Sequence, residues 1–184
     1  MNSSQKAINS ACRMLGIREH SEKQIRAKLV KKGFDKKEIA ESVEFLCQNS
    51  WLSNERFCGA FIRSRVNKGQ GKVRIEFELL QNEIAQNLID DAFEQENVNW
   101  QFECERILVK KIITFYTTNK ISDDGLSDDS TNDDRFLDDE IKIANSKLDF
   151  KNKLKIERFM KYRGFEHEEV QKAFSKMNIK INYQ

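Results

Sequence analysis

Proline is absent from all 184 residues, glycine occurs only 7 times and histidine only twice. Each shortage excludes something. A sheet protein of this length normally needs Pro- and Gly-rich turns, so the composition favours helices joined by short links. The histidines, His20 and His167, have no ligand-like spacing to each other or to Cys12, Cys47, Cys58 and Cys104. No C-x-x-C is present, so no metal site is expected. Each cysteine falls within a helical pattern, which predicts free, buried thiols in a reducing cytosol. The chain lacks an apolar signal segment and any apolar run of membrane-spanning length, so a soluble, cytoplasmic protein is expected. Phosphate-cradling G-x-x-x-x-G-K-[ST], G-x-S-x-G and G-x-G-x-x-G are all missing. The paired carboxylates sit on polar helix faces, where they are ordinary solvation. The expectation is a binding protein, not an enzyme, with no cofactor.

Charge is abundant and nearly balanced, 32 basic against 30 acidic side chains, but it is unevenly placed. Residues 1–80 hold 16 Lys and Arg against 9 Asp and Glu, residues 117–149 hold 4 against 10, and residues 150–184 hold 9 against 4. A basic body with an acidic interruption points to a polyanion or an acidic protein surface as partner.

The stretch Glu55–Leu79 organises the rest. Phe57 and Phe61, one turn apart beside Ala60 and Ser64, form the apolar stripe of a helix that Ser53 or Asn54 caps. Gly69 and Gly71 are expected to end it by supplying positive φ. Ile75 and Leu79 open the next stripe. Arg63 and Arg65 point about 160° apart on a helix, so they cannot face one flat partner together. Arg65 is expected either to satisfy the carbonyls at the helix end or to pair internally, and Arg74 to pair with Glu78 one turn on. Arg63, Lys68 and Lys72 are the better candidates for an outside partner.

The chain repeats itself. A shift of 131 lays Ile25 on Ile156, Leu29 on Met160, Gly33 on Gly164, Phe34 on Phe165, Ile39 on Val170 and Val43 on Phe174. A shift of 50 brings Ile75, Leu79, Ile84, Ile89 and Phe93 to the same places, with Glu83 where the others have glycine. That middle turn must be built differently or strained. The predicted fold is all-α, an elongated, curved array of three tandem three-helix repeats. The repeats are residues 1–50, 51–97 and 98–184. Helices are predicted over 4–17, 21–32, 35–48, 53–67, 71–82 and 84–96. A further helix runs from near Asn99 to Tyr116, and the pattern resumes from Phe150 to about Met177. Ser21 with Gln24, and Asp35 with Glu38, read as capping boxes. Phe34 and Phe165 are expected to be core plugs behind their glycines. Trp51 and Trp100, at repeat junctions, are expected to pack between repeats. Tyr162 is less readily placed in a core and has a ring able to stack on a base.

Residues 117–149 break the third repeat where the first two turn within a few residues. The segment is polar, acidic and low in complexity, and reads as a mobile surface-loop insertion. The last seven residues read as loose. Arg26, Lys28, Lys31, Lys32, Lys161 and Arg163 occupy places in the outer repeats related to the central basic residues.

F-x-x-x-F-I-R-S-R-x-x-K-G-x-G-x-x-R-I-x-x-E-L, from Phe57 to Leu79, resembles the central signature of the RecX family, bacterial regulators of the RecA recombinase. K-K-G-F at 31–34 and R-F-M-K-Y-R-G-F at 158–165 extend the resemblance over nearly the whole chain. It implies a non-catalytic monomer that binds RecA and its nucleoprotein filament. Such a protein lies in the filament's helical groove and restrains recombinase, ATPase and co-protease activities in DNA repair and the SOS response. Many family members also bind DNA, single- or double-stranded. Two other readings of the residues stay open: a non-specific nucleic-acid-binding helical module, and a helical scaffold that contacts an unrelated protein through 117–149.

Overall fold

The computed structural model describes residues 3–120, 147–177 and 180–182. In chain order its helices are α1 (Ser3–Leu15), α2 (Glu22–Lys31), α3 (Lys36–Gln48), α4 (Asn54–Asn67), α5 (Lys72–Gln81), α6 (Gln86–Glu96), α7 (Trp100–Lys120), α8 (Phe150–Arg163) and α9 (His167–Lys176). Two short strands, β1 (Lys147–Asp149) and β2 (Lys180–Asn182), pair in parallel with Leu148 opposite Ile181. The architecture is an all-α helical repeat with this one small ladder among the described residues. No described helix is long and apolar enough to cross a membrane.

The chain divides into two compact units, residues 1–65 with 75–98, and residues 66–74 with 99–184. In the first unit α1 and α2 pack on α3 around Ala7, Ala11, Ile25, Leu29, Ile39, Val43, Leu46 and Leu52, all buried. Phe57, Ile62, Ile75, Leu79, Ile84 and Ile89 are buried in the same unit. In the second, α7 packs against α8 and α9 over Cys104, Leu108, Ile112, Ile156, Met160, Phe165, Val170 and Phe174. Burial of these side chains is the dominant favourable term, about 25 cal/mol per Å² of apolar surface removed from water.

Local chemistry sets the helix ends. The Ser21 hydroxyl accepts from the Gln24 N–H at 3.1 Å, and Asp35 and Glu38 exchange two bonds in a full capping box. Ser53 Oγ accepts from the Arg56 N–H and starts α4. The repeated turn is the same in three places. Gly33, Glu83 and Gly164 have φ of 86°, 60° and 89°. Their N–H groups donate to the carbonyls of Val30, Leu80 and Lys161, and those of Phe34, Ile84 and Phe165 donate to Leu29, Leu79 and Met160. This is the helix-ending pair of bonds that left-handed geometry allows. Glu83 adopts it against its own Cβ, which costs about 1–2 kcal/mol in an L-residue. The sequence offered strain or a different turn, and strain is what the structure shows.

Several expectations are corrected. Gly71 does not have positive φ; its role is close approach, described below. Phe165 is buried, but Phe34 is only half-buried at the edge of its core. Trp51, expected to pack between repeats, sits edge-on to Phe45 and is half exposed. The helix expected to stop at Tyr116 continues to Lys120, and the proposed insertion contains β1. The carboxy-terminal residues taken as loose include β2. The remainder of the expected insertion, 121–146, lies outside the described residues. All four cysteines are free, with Cys58 and Cys104 buried and Cys12 and Cys47 half-buried. Burial pushes the Cys58 thiol up to about 11 and that of Cys104 to about 12, so both stay protonated and unreactive near neutral pH.

Candidate partner-binding surface

Five of the ten basic residues singled out from the sequence, Lys68, Lys72, Arg74, Lys161 and Arg163, converge in the second unit. The cause is a backbone joint between the K-G-Q-G turn and the end of α8. The Gly71 N–H donates to the Arg163 carbonyl at 2.8 Å, and the Val73 N–H donates to the Gly164 carbonyl at 3.2 Å. The first donors of α5 thereby satisfy the last acceptors of α8, two sets of groups that helix geometry otherwise leaves orphaned. Contact this close needs glycine on both sides. A Cβ on Gly71 would lie 2.3 Å from the Gly164 oxygen, and one on Gly164 would lie 2.5 Å from the Arg74 nitrogen. Gly69, at φ 69°, is favoured for its left-handed conformation.

Arginines lock the joint. Arg74 Nη1 donates to the Tyr162 carbonyl at 3.1 Å, and its guanidinium lies 4.8 Å above the Tyr162 ring. Arg163 Nη1 donates to the Lys68 carbonyl at 2.6 Å and stacks 5.0 Å over Phe159. Arg106, which the sequence reading passed over, bonds Glu103 and reaches the Val66 carbonyl at 3.4 Å. Arg74 and Arg163 are therefore structural members of the turn. Around them Lys68, Lys72, Lys161 and the Tyr162 ring are exposed, Tyr162 at 72%. Glu169, whose carboxyl burial pushes upward, accepts from the Glu166 N–H and sits within the field of Lys72.

The other five candidates are in the first unit. Arg63 pairs with Glu96 and lines a cleft of about 500 Å³ with Glu19, Arg56, Asp91 and Gln95. Arg26 lies 3.8 Å from Glu22 on its own helix. The Lys28 ammonium donates to His20 Nε2 at 2.7 Å, while Nδ1 of that ring donates to the Arg18 carbonyl at 2.9 Å. That pattern is the neutral tautomer, and burial holds the His20 pKa below its ordinary 6.5. Lys31 and Lys32 are exposed at the end of α2. Arg65 pairs internally with Glu78 at 2.9 Å, one of the two roles expected of it though with a partner the spacing had given to Arg74, and caps the Phe61 ring.

A second contact at a left-handed turn, made by side chains and not by backbone donors, lies within the first unit. Lys23 Nζ donates to the Gln81 carbonyl at 2.9 Å and meets Glu83 at 3.0 Å, and Gln24 Nε2 donates to Asn82 Oδ1 at 2.7 Å. The sequence did carry a signal for it. The 50-residue shift places Ser21–Gln24 on Gly71–Arg74, and the 131-residue shift places Lys31–Gly33 on Tyr162–Gly164.

Comparison with known proteins agrees with this architecture. The family model for the first three-helix domain of RecX matches residues 7–46, and that for the second three-helix domain matches residues 53–92. The regulatory protein RecX of Actinobacillus pleuropneumoniae serotype 5b is 36% identical over 57% of this chain and 70% of its own length. That of Yersinia enterocolitica is 26% identical over 91% of this chain and 95% of its own length. The crystal structure of RecX from Lactobacillus salivarius superposes with a TM-score of 0.64 at 16% identity, covering 96% of this chain and 97% of that one. With residues 68–74 of its signature forming the turn that meets the end of α8, the chain belongs to the RecX family of regulatory proteins.

Proposed function

We propose that this protein is a non-enzymatic cytoplasmic regulator that binds the RecA recombinase and its nucleoprotein filament and restrains recombinase, ATPase and co-protease activity. What supports the reading is family membership through the signature string, together with the exposure of Lys68, Lys72 and Lys161 in the segments that form the joint. A groove ligand of a nucleoprotein filament meets acidic side chains or phosphates, and exposed lysines attract either. Arg63 was chosen from the sequence alongside Lys68 and Lys72. Its pairing with Glu96 makes its reversal a stability change as well as a charge change, so Lys161 replaces it in the test. The test is RecA's single-strand-dependent ATPase, measured with the parent and with Lys68→Glu/Lys72→Glu/Lys161→Glu. The parent should inhibit, and the variant should inhibit at least about tenfold less well, which requires only ~1.4 kcal/mol. The difference should grow as salt falls, because screening hides exposed charges at high salt. A parent without effect on RecA overturns the reading. A variant as potent as the parent at low salt removes this surface from it.

A further inference from the structure

The exposed side of α8 carries four cations, Lys151, Lys155, Arg158 and Lys161. Among them stand Phe150, Leu154 and Tyr162, which are exposed too. At 100° per residue these side chains fall within a sector of about 140° and span about 18 Å of helix. No acid stands on that side. Glu157, at its edge, is half-buried and held by Lys153 at 3.4 Å and Gln171 at 2.8 Å. Among the described residues none of the four cations has an ion pair. The neighbouring helix α7 adds no acid either, since from Ile107 to Lys120 its charged residues are all lysine.

The same place is a contact in both earlier repeats. A shift of 131 lays Leu154 and Lys155 on Lys23 and Gln24, and the 50-residue shift carries those on to Val73 and Arg74. Lys23 and Gln24 bond the Gln81 carbonyl and the Asn82 side chain. Val73 and Arg74 bond the Gly164 and Tyr162 carbonyls. Each pair thus touches another stretch of polypeptide. In α8 Leu154 is exposed, and Lys155 reaches only the Phe115 ring, 6.0 Å away, among the described residues.

We infer that the exposed side of α8 docks a helix of a partner protein on which carboxylates alternate with apolar side chains. Charge complementarity selects the carboxylates, because a face with four cations and no acid attracts only the opposite sign. Phe150 and Leu154 select the apolar side chains, which cover them from water. The face is straight and about three turns long, the length over which two helices pack. A nucleic-acid strand would meet the cations but leave Leu154 wet, and one face of the Tyr162 ring is already taken by Arg74. An anionic membrane calls for a segregated apolar face, whereas Arg158 stands in the middle of this one. The inference goes beyond the regulatory reading and stands whether or not RecA is the partner.

The test uses the full chain, labelled with nitrogen-15, and follows its amide resonances. The probe is a stapled helical peptide of about 16 residues, long enough to persist as a helix, with Leu and Glu alternating along one face. One control has every Leu replaced by Ser, a second is oligothymidine and a third is phosphatidylglycerol vesicles. The probe should shift the amides of residues 150–162 with an apparent Kd on the order of 0.1 mM or tighter. The serine control should bind at least about tenfold more weakly. Lys151→Glu/Lys155→Glu/Arg158→Glu changes exposed side chains, at little cost in stability. It should weaken the probe at least about tenfold while the other resonances stay in place. No shift from the probe, or equal binding by the serine control, overturns the proposal. So does oligothymidine or the vesicles engaging residues 150–162 more tightly than the probe, which would make the face a phosphate contact. The ATPase test above leaves Lys151, Lys155 and Arg158 unchanged and uses no peptide, so the two readings fail separately.

Discussion

Gly33 and Gly164 have nearly the same φ, 86° and 89°, and end their helices with the same pair of hydrogen bonds. They differ only in what lies outside. Above Gly33 there is open space; above Gly164 sits the backbone of Arg74. An identical local motif thus serves once as a stop and once as a joint, and a residue type alone does not say which. The difference predicts that similar substitutions have unequal effects.

The largest effect is expected at the joint. Gly164→Ala combines left-handed strain of about 1–2 kcal/mol with a backbone collision, and should destabilise by more than ~3 kcal/mol in chemical denaturation. Gly33→Ala should carry only the strain, about 1–2 kcal/mol. Equal losses at the two sites would mean that the joint contributes nothing. Next come the rings behind the glycines. Phe165→Ala should cost about 3–5 kcal/mol, as a buried ring does, and Phe34→Ala roughly half of that because water already reaches it. A thermal melt of the two variants ranks them. Smaller still, Glu83→Gly should stabilise by about 1 kcal/mol by relieving the strained turn. The loss of its exposed pair with Lys23 offsets a few tenths of this. No gain in melting temperature would show that the turn is not strained.

A pH experiment probes the first unit through His20, which precedes α2. Burial lowers the His20 pKa from 6.5, so the unfolded chain binds that proton more readily than the folded one. The stability that neutral His20 provides is complete above about 6.5 and is lost as pH falls below it towards the lowered value. His20→Gln should flatten that part of the stability-versus-pH curve. A slope unchanged between parent and variant would assign it to other groups.

Much of this was legible in the sequence because it is local. Helix starts follow from Ser21, Asp35 and Ser53, whose partners are three residues away. The buried positions follow from a period that returns at Ile25, Ile75 and Ile156, all fully enclosed. What was not legible depends on residues far apart in the chain. Nothing near Gly71 reveals that Gly164 will press against it, so its glycine was read as a turn former. Nothing near Arg74 points to the Tyr162 ring. Phe34 and Phe165 match in sequence, yet one is half exposed. The β1–β2 ladder pairs three residues with three others, too short a run for alternation to show.

The joint also fixes an order of events during synthesis. Lys68 and Arg163 are 95 positions apart, and Arg74 and Tyr162 are 88 apart. At roughly 5–20 residues per second, the K-G-Q-G turn leaves the ribosome roughly 5–20 s before the carbonyls that receive it. Contacts between such distant residues form late, after the closure entropy of the intervening chain has been met. Until then Gly71 and Val73 present unmatched donors amid a run of lysine and arginine. The nascent chain therefore holds its signature turn open to solvent, and only completion of α8 closes it.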